Sequence, residues 1–364
     1  MKIEFMVNFI EVNINNLETG MILAEDIVCD NRIILTKGKR LNKYVIEKIN
    51  EILVFGSVKI YSDEVNSSNK IVVMSSKVTE YIRINQVINK MSELLRDKLQ
   101  YFLCNRVSSI DELSEFHKII YKELEENSSH IIKSIIAYGS KTDSIYRHSV
   151  NVALLGAILG KWLDFNGEEI NSIIYAGILS NFGKLKIDYE IINKKSRVTD
   201  EEYEVIKTYP RVGYEFLKEN SNISESVLKA VLTHHEREDG SGYPLGIEGD
   251  RISKYAKIIA IADVFDAINS KRDYKEKMKP FEALKVIKDE SNERLDKEYC
   301  MTFINHISNF YLGEYALLSN GEVCKIIQMN INSIENPFVY IEEKEKFIDL
   351  SLEKDIYIKK IIFK

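Results

Sequence analysis

At 364 residues the chain is too long for one ordinary core and suits two or three domains. Apolar residues make up 45% and charged residues 29%, the ordinary range of soluble globular proteins. A net charge of -6 with no long basic run argues against unspecific binding to a nucleic-acid backbone, which needs a basic stripe to displace counterions. A local basic pocket for a small phosphate ligand remains allowed.

Met1 to Val12 contains Glu4, Asn8 and Glu11, so no apolar signal core is present. Residues 1–63 read as a small β-rich unit. Ile33-Ile34-Leu35 and Val58-Lys59-Ile60-Tyr61 are short β-branched or aromatic runs, punctuated by Gly20, Gly38 and Gly56. Between them Val45, Ile46, Ile49 and Leu53 fall at helical spacing and predict one helix over 41–53. Residues 64–77, with the polar run Asn66 to Lys70, read as a linker. A helical connector over 78–122 follows, with a polar break at Ser108-Ser109-Ile110-Asp111 and a helix start suggested by Asp111, Ser114 and Glu115. Its amphipathic faces suit packing on the next domain or a homodimer seam. Residues 123–312 form a series of strongly apolar helices. Residues 313–364 then read as a small β module. Ser319-Asn320-Gly321-Glu322 lies there between the runs Tyr315–Leu318 and Val323–Ile327, and Asn-Gly is a strong hairpin signal because both residues tolerate positive φ. Further β runs are predicted at 338–341 and 356–358. No stretch approaches ~18 uncharged apolar residues, so nothing is expected to span a membrane. Cys29, Cys104, Cys300 and Cys324 lie far apart with no CxxC, which argues against a structural zinc or a disulfide framework. Together these point to a cytoplasmic protein.

Three places carry chemistry. The helix Tyr255 to Asn269 is apolar almost all round and therefore buried, with Asp263 in its middle. An unpaired buried carboxylate costs several kcal/mol, so a metal, a cation or hydrogen-bond donors should meet it; an ordinary core aspartate bonded to backbone or lysine is the alternative. His148 opens the apolar helix Val150 to Leu163, where a lone histidine is more often a capped or core residue than a ligand. His234-His235-Glu236 ends the apolar run Val227 to Leu232. Adjacent helical side chains diverge by about 100°, so the pair alone is weak evidence for one cluster. The loop behind it, Asp239-Gly240-Ser241-Gly242-Tyr243-Pro244, has two glycines that let a ligand approach closely, and a tyrosine unusual in a solvated turn.

These segments, in this order, resemble the HD-GYP family of metal-dependent cyclic di-GMP phosphodiesterases. The match runs from Tyr146-Arg147-His148-Ser149-Val150-Asn151-Val152-Ala153 through His234 to Pro244, then Ile261-Ala262-Asp263-Val264-Phe265-Asp266-Ala267 and Arg272-Asp273-Tyr274-Lys275. The resemblance implies a multidomain, mainly α chain in which an all-helical HD-GYP domain is flanked by small β-rich modules. In that family two or three metals, usually iron or manganese, generate the hydroxide that attacks the phosphodiester. It makes His148, His234, His235 and Asp263 metal-ligand positions and Lys184 a catalytic, phosphate-stabilising position. Gly242, Tyr243, Arg272 and Lys275 become substrate-binding positions.

The chain departs from that pattern where the family places Leu-His-Asp-Ile-Gly-Lys. Here the segment reads Leu179-Ser180-Asn181-Phe182-Gly183-Lys184. Asn181 offers one neutral carbonyl in place of a bridging carboxylate, and Ser180 is too short and too weak a donor to replace imidazole. Asn181 before Gly183 also suits a helix C-terminus. The family's later His before Pro is Tyr209, and its acidic ligand one turn before the first His is Ser144. The expectation is therefore no cofactor, or at most a single residual Fe or Mn, with Asp263 pairing instead with His148 or Lys184. Retained Lys184, Tyr243, Arg272 and Lys275 suit a bis-phosphate ligand. Three functions follow: a non-catalytic cyclic di-GMP receptor or scaffold in bacterial signalling, an atypical single-metal phosphodiesterase, and a pure protein-interaction module for signalling partners.

Overall fold

The computed structural model describes residues 9–14, 17–29, 32–52, 57–61, 76–105, 113–139, 145–192, 194, 196–270, 281–353 and 355–362. The chain divides into two compact units, 1–73 and 74–364. In the first unit, β1 (Phe9–Asn13) and β4 (Ser57–Tyr61) pair antiparallel, as do β2 (Ile27–Cys29) and β3 (Arg32–Leu35). The helix α1 (Lys43–Ile52) starts where the Asn42 Oδ1 accepts the Val45 amide at 2.8 Å. Val45 and Ile49, one turn apart, pack with Leu23, Leu41, Val58 and Ile60 into a small core. The helix and the strands at 32–35 and 57–61 follow the sequence periodicity. β1 does not, because its register against β4 is set by residues about fifty positions away.

The second unit is mainly helical. Its elements are α2 (Ser76–Asn105), α3 (Ser114–Tyr138), α4 (Ile145–Trp162), α5 (Gly167–Leu179), α6 (Tyr189–Ile192), α7 (Asp200–Lys207), α8 (Tyr209–Asn220), α9 (Glu225–Thr233), α10 (Lys254–Asn269), α11 (Glu282–Glu290) and α12 (Lys297–Asn309). The linker run Asn66 to Lys70 and the break Ser108 to Asp111 lie outside the described residues. The apolar face of α2, through Ile84, Ile88, Leu95 and Leu99, is buried within this unit's core. Among the described residues no helix is long and apolar enough to cross a membrane.

α4 is the hub of the helical layer. Residues Ser149 to Gly160 are all buried, and α5 and α10 pack against them. A Cβ on Gly177 would lie 2.5 Å from the Ala153 Cα, so only glycine lets α5 cross α4 this closely. The start of α5 is fixed by a capping box. Asn166 Oδ1 accepts the amides of Glu168 and Glu169 at 3.0 and 3.1 Å, and the Glu169 carboxylate accepts the Asn166 amide at 2.9 Å. Asn166→Ala is expected to lower stability in urea by about 1 kcal/mol. An unchanged midpoint would show that the box contributes nothing.

After α12 the chain closes with a five-stranded antiparallel sheet in the order β8-β7-β6-β5-β9, from β5 (Tyr315–Leu318), β6 (Val323–Gln328), β7 (Phe338–Ile341), β8 (Lys346–Asp349) and β9 (Ile358–Ile362). The β5–β6 turn is the one read from Asn-Gly, with Gly321 at φ +89°. The last strand begins at Ile358, where the predicted run 356–358 ends, because its partner β5 sets the register from Leu318↔Ile358 onward.

Candidate functional site

Two clusters of side chains meet where the resemblance places a metal centre. The first joins α4 to α10. His148 and Asn151 are one turn apart on α4, and Asp263 and Asp266 are one turn apart on α10, so each pair shares a helix face. His148 Nδ1 lies 2.7 Å from Asp266 Oδ2, and its Nε2 lies 2.8 Å from Asp263 Oδ1. Burial by itself would push the imidazole pKa down. The hydrogen bonds and charges of the two carboxylates outweigh it and hold the ring at about 9, so both nitrogens donate at neutral pH. Burial likewise opposes ionisation of Asp263, but His148 holds that carboxyl well below the usual range. Of the two partners expected for Asp263, His148 is therefore the hydrogen-bonded one. Asp266 is fully buried and accepts also from Asn151 Nδ2 at 2.7 Å and Ser270 Oγ at 3.3 Å. Beside His148, buried Arg147 donates to Gly139 O at 2.7 Å, to Asn85 Oδ1 at 2.8 Å and to Asn89 Oδ1, tying the start of α4 to α2.

The second cluster joins α8 to the end of α9. His234 is the C-cap of α9, and its Nδ1–H donates to Val231 O at 2.8 Å. Its Nε2 is then the acceptor, 2.9 Å from the Tyr209 hydroxyl, and the same oxygen lies 2.5 Å from His235 Nε2. A phenol has one proton. Given to His234, it leaves the oxygen to accept from His235, whose Nε2 must carry the hydrogen. Burial pushes the His234 pKa down to about 4 and that of His235 well below its ordinary value, while it pushes the Tyr209 hydroxyl well above its own. The triad is neutral. Tyr209 starts α8 with Pro210 behind it, and its backbone leans on the turn at 182–186: a Cβ on Gly183 would lie 1.9 Å from Tyr209 O. That contact brings Lys184 Nζ to 4.8 Å from the centre of the Tyr209 ring.

The loop after the double histidine is built to be close. A Cβ on Gly242 would lie 2.4 Å from the Glu236 Cα, so the loop folds back onto the helix end it leaves. Buried Glu236 holds it there by accepting the amides of Leu245 at 2.6 Å and Ile247 at 3.2 Å. Tyr243 stacks on His235, with centroids 4.6 Å apart.

Ser180 and Asn181 are both buried. Ser180 Oγ donates to Gly177 O at 2.9 Å and accepts from Asn181 Nδ2 at 3.0 Å, while Asn181 Oδ1 has no hydrogen-bond partner. Asn181 follows the end of α5 as expected. Its φ of -96° is not the left-handed conformation of a C-terminal asparagine, because the chain continues directly into the turn at 182–186. Ser144, Arg272 and Lys275 lie outside the described residues.

These residues do not fit a two-metal centre. The His148 nitrogens both face carboxylates as donors, the His234 lone pair is taken by Tyr209, and His235 presents a hydrogen to that oxygen. Among the described residues no group of three or more His, Cys, Asp or Glu is arranged to hold a metal ion. Asn181 Oδ1 has no hydrogen-bond partner among the described residues, and a single neutral carbonyl does not replace the hydration shell of a divalent cation. In the sequence Asp266, Asn151 and Glu236 stand within the motifs without an assigned role, and Tyr209 reads only as a lost ligand. The i, i+3 spacing of Asp263 and Asp266 on a buried helix was the available signal for the first.

Comparison with known proteins agrees with the fold. Residues 130–299 match the family described as HD domain. The chain is 29% identical over 208 residues to a cyclic di-GMP phosphodiesterase of Pseudomonas aeruginosa, covering 57% of this chain and 50% of that one. It is 30% identical over 210 residues to a cyclic di-GMP phosphodiesterase of Borreliella burgdorferi, covering 57% and 55%. The chain thus spans about half the length of the curated relatives it matches. Among solved structures, a HDG"Y"P protein from Bdellovibrio bacteriovorus superimposes with a TM-score of 0.53 at 12% identity, over 82% of this chain and 99% of that one, a likeness of fold alone.

Proposed function

We propose that the chain, whose residues 130–299 match the HD-domain family, belongs to its HD-GYP branch and serves cyclic di-GMP signalling as a dinucleotide receptor or scaffold whose hydrolytic centre is impaired. The observation that carries this reading is the Tyr209 hydroxyl, bonded at 2.9 and 2.5 Å to the two histidines that would otherwise offer lone pairs to a metal. The phosphate-facing residues support the binding half. Lys184 and the Tyr243 ring are held beside the triad, a cation and a stacking surface suited to a phosphate and a base. By the resemblance, Arg272 and Lys275, which lie outside the described residues, are expected to contact the same ligand.

Calorimetry of chelator-treated protein with cyclic di-GMP tests both halves. Binding in the micromolar range or tighter is expected, with no linear dinucleotide or GMP formed when iron or manganese is added. Silence up to high micromolar ligand removes the receptor. Turnover with either metal restores the single-metal phosphodiesterase. Arg272→Ala with Lys275→Ala should weaken binding at least tenfold, and unchanged affinity would show that neither cation contacts the dinucleotide.

A further inference from the structure

We infer that Tyr209 is the positioning residue that stands in for a metal ion, so that the pocket is assembled by hydrogen bonds alone and its architecture is indifferent to metals. The inference rests on the family reading above but not on ligand binding. A metal would gather His234 and His235 by accepting a lone pair from each. The phenol gathers them by giving its proton to one and taking a proton from the other, which satisfies both nitrogens without bringing charge into a buried site. His234 is oriented for this by its Nδ1 bond to Val231 O, the kind of backbone contact that also sets the tautomer of metal-bound histidines.

The phenol is itself over-determined. Its ring is 1% exposed, its backbone is clamped by Gly183, and Lys184 lies over its face. What depends on it is the outer surface of the pocket. His235 carries the stacked Tyr243 on its ring, and the His235 carbonyl accepts the Tyr243 amide at 3.2 Å. Holding His235 therefore holds the tyrosine of the Gly-Tyr-Pro loop.

The test uses the full chain. Wild-type protein is expected to carry well under one equivalent of transition metal, and to melt at the same temperature with EDTA, with Zn2+ or with neither. Nitrogen-15 NMR of its histidines should show His234 protonated on Nδ1 and His235 on Nε2 near neutral pH, with neither signal moved by Zn2+. Tyr209→Phe keeps the ring and deletes only the oxygen. It is expected to lower the melting temperature by on the order of 5 °C and to release His235 from its fixed tautomer. One equivalent of bound metal, a melting point that falls with EDTA, or a phenylalanine variant with wild-type melting and NMR each overturns the inference. Should the variant fail to fold, the wild-type metal content and tautomers still decide. None of these readouts involves cyclic di-GMP, so a failure of the receptor proposal would leave them untouched.

Discussion

Asp266→Ala is expected to destabilise the protein by about 3–5 kcal/mol, more than the same change at Asp263. Asp266 is fully buried and accepts from His148 Nδ1 at 2.7 Å, Asn151 Nδ2 at 2.7 Å and Ser270 Oγ at 3.3 Å. Its loss takes this acceptor from a protonated imidazole and a carboxamide at the buried crossing of α4 and α10. Asp263 is 13% exposed and bonds His148 at one oxygen, so water can partly replace it and roughly 1–3 kcal/mol is expected there. Urea unfolding of the two variants in EDTA measures the difference. A structural ion pair gives the order Asp266 above Asp263. The reverse order would mean that Asp263 is the residue around which the centre is organised, as in a metal site.

That contrast shows what the sequence made legible. Asp263 stood out because an acidic residue interrupts an apolar helix, a local signal, whereas Asp266 gains its importance from α4, 115 positions or more away. Helices that are apolar almost all round, α4 and α10 above all, could be read directly, as could the β5–β6 hairpin from Asn320-Gly321. β8 could not. Its sequence Lys346-Phe347-Ile348-Asp349 looks like a charged loop, and it is a strand because β7 offers it an edge. The substitutions Ser180, Asn181 and Tyr209 were visible as departures from a motif. What replaced the lost chemistry was not, since a hydroxyl bonded to residues 25 and 26 positions further along the chain exists only once α8 is set against the end of α9. Gly183 and Gly242 are similar. Each was legible as a glycine in a motif, but the backbone contacts that demand one are tertiary.

Protein stability is expected to peak near pH 6.5 and to fall by about 2 kcal/mol between pH 6.5 and 8.5 through His148 alone. The folded pKa of His148 is about 9, raised above the ~6.5 of an unfolded chain, because two carboxylates overcome the effect of burial. A group raised in this way stabilises most below ~6.5, by about 3 kcal/mol for a shift of this size, and that contribution disappears as the pH rises through 9. On the acid side the signs reverse. His234, depressed to about 4 by burial, and His235, depressed well below its ordinary value, favour folding above ~6.5 and oppose it as the pH falls, because both must then charge while buried. Asp263, held below the ordinary carboxylate range, adds a loss that begins below pH ~4. Urea midpoints at pH 6.5 and 8.5 for wild type and His148→Gln isolate the alkaline limb, because glutamine keeps a donor but does not titrate. Wild type should lose about 2 kcal/mol over this interval and the variant less than about 1. Parallel losses in the two proteins would show that His148 is not a cation at neutral pH. Its nitrogens would then be free to serve as metal ligands after all, and the ion pair that separates this centre from a hydrolytic one would not exist.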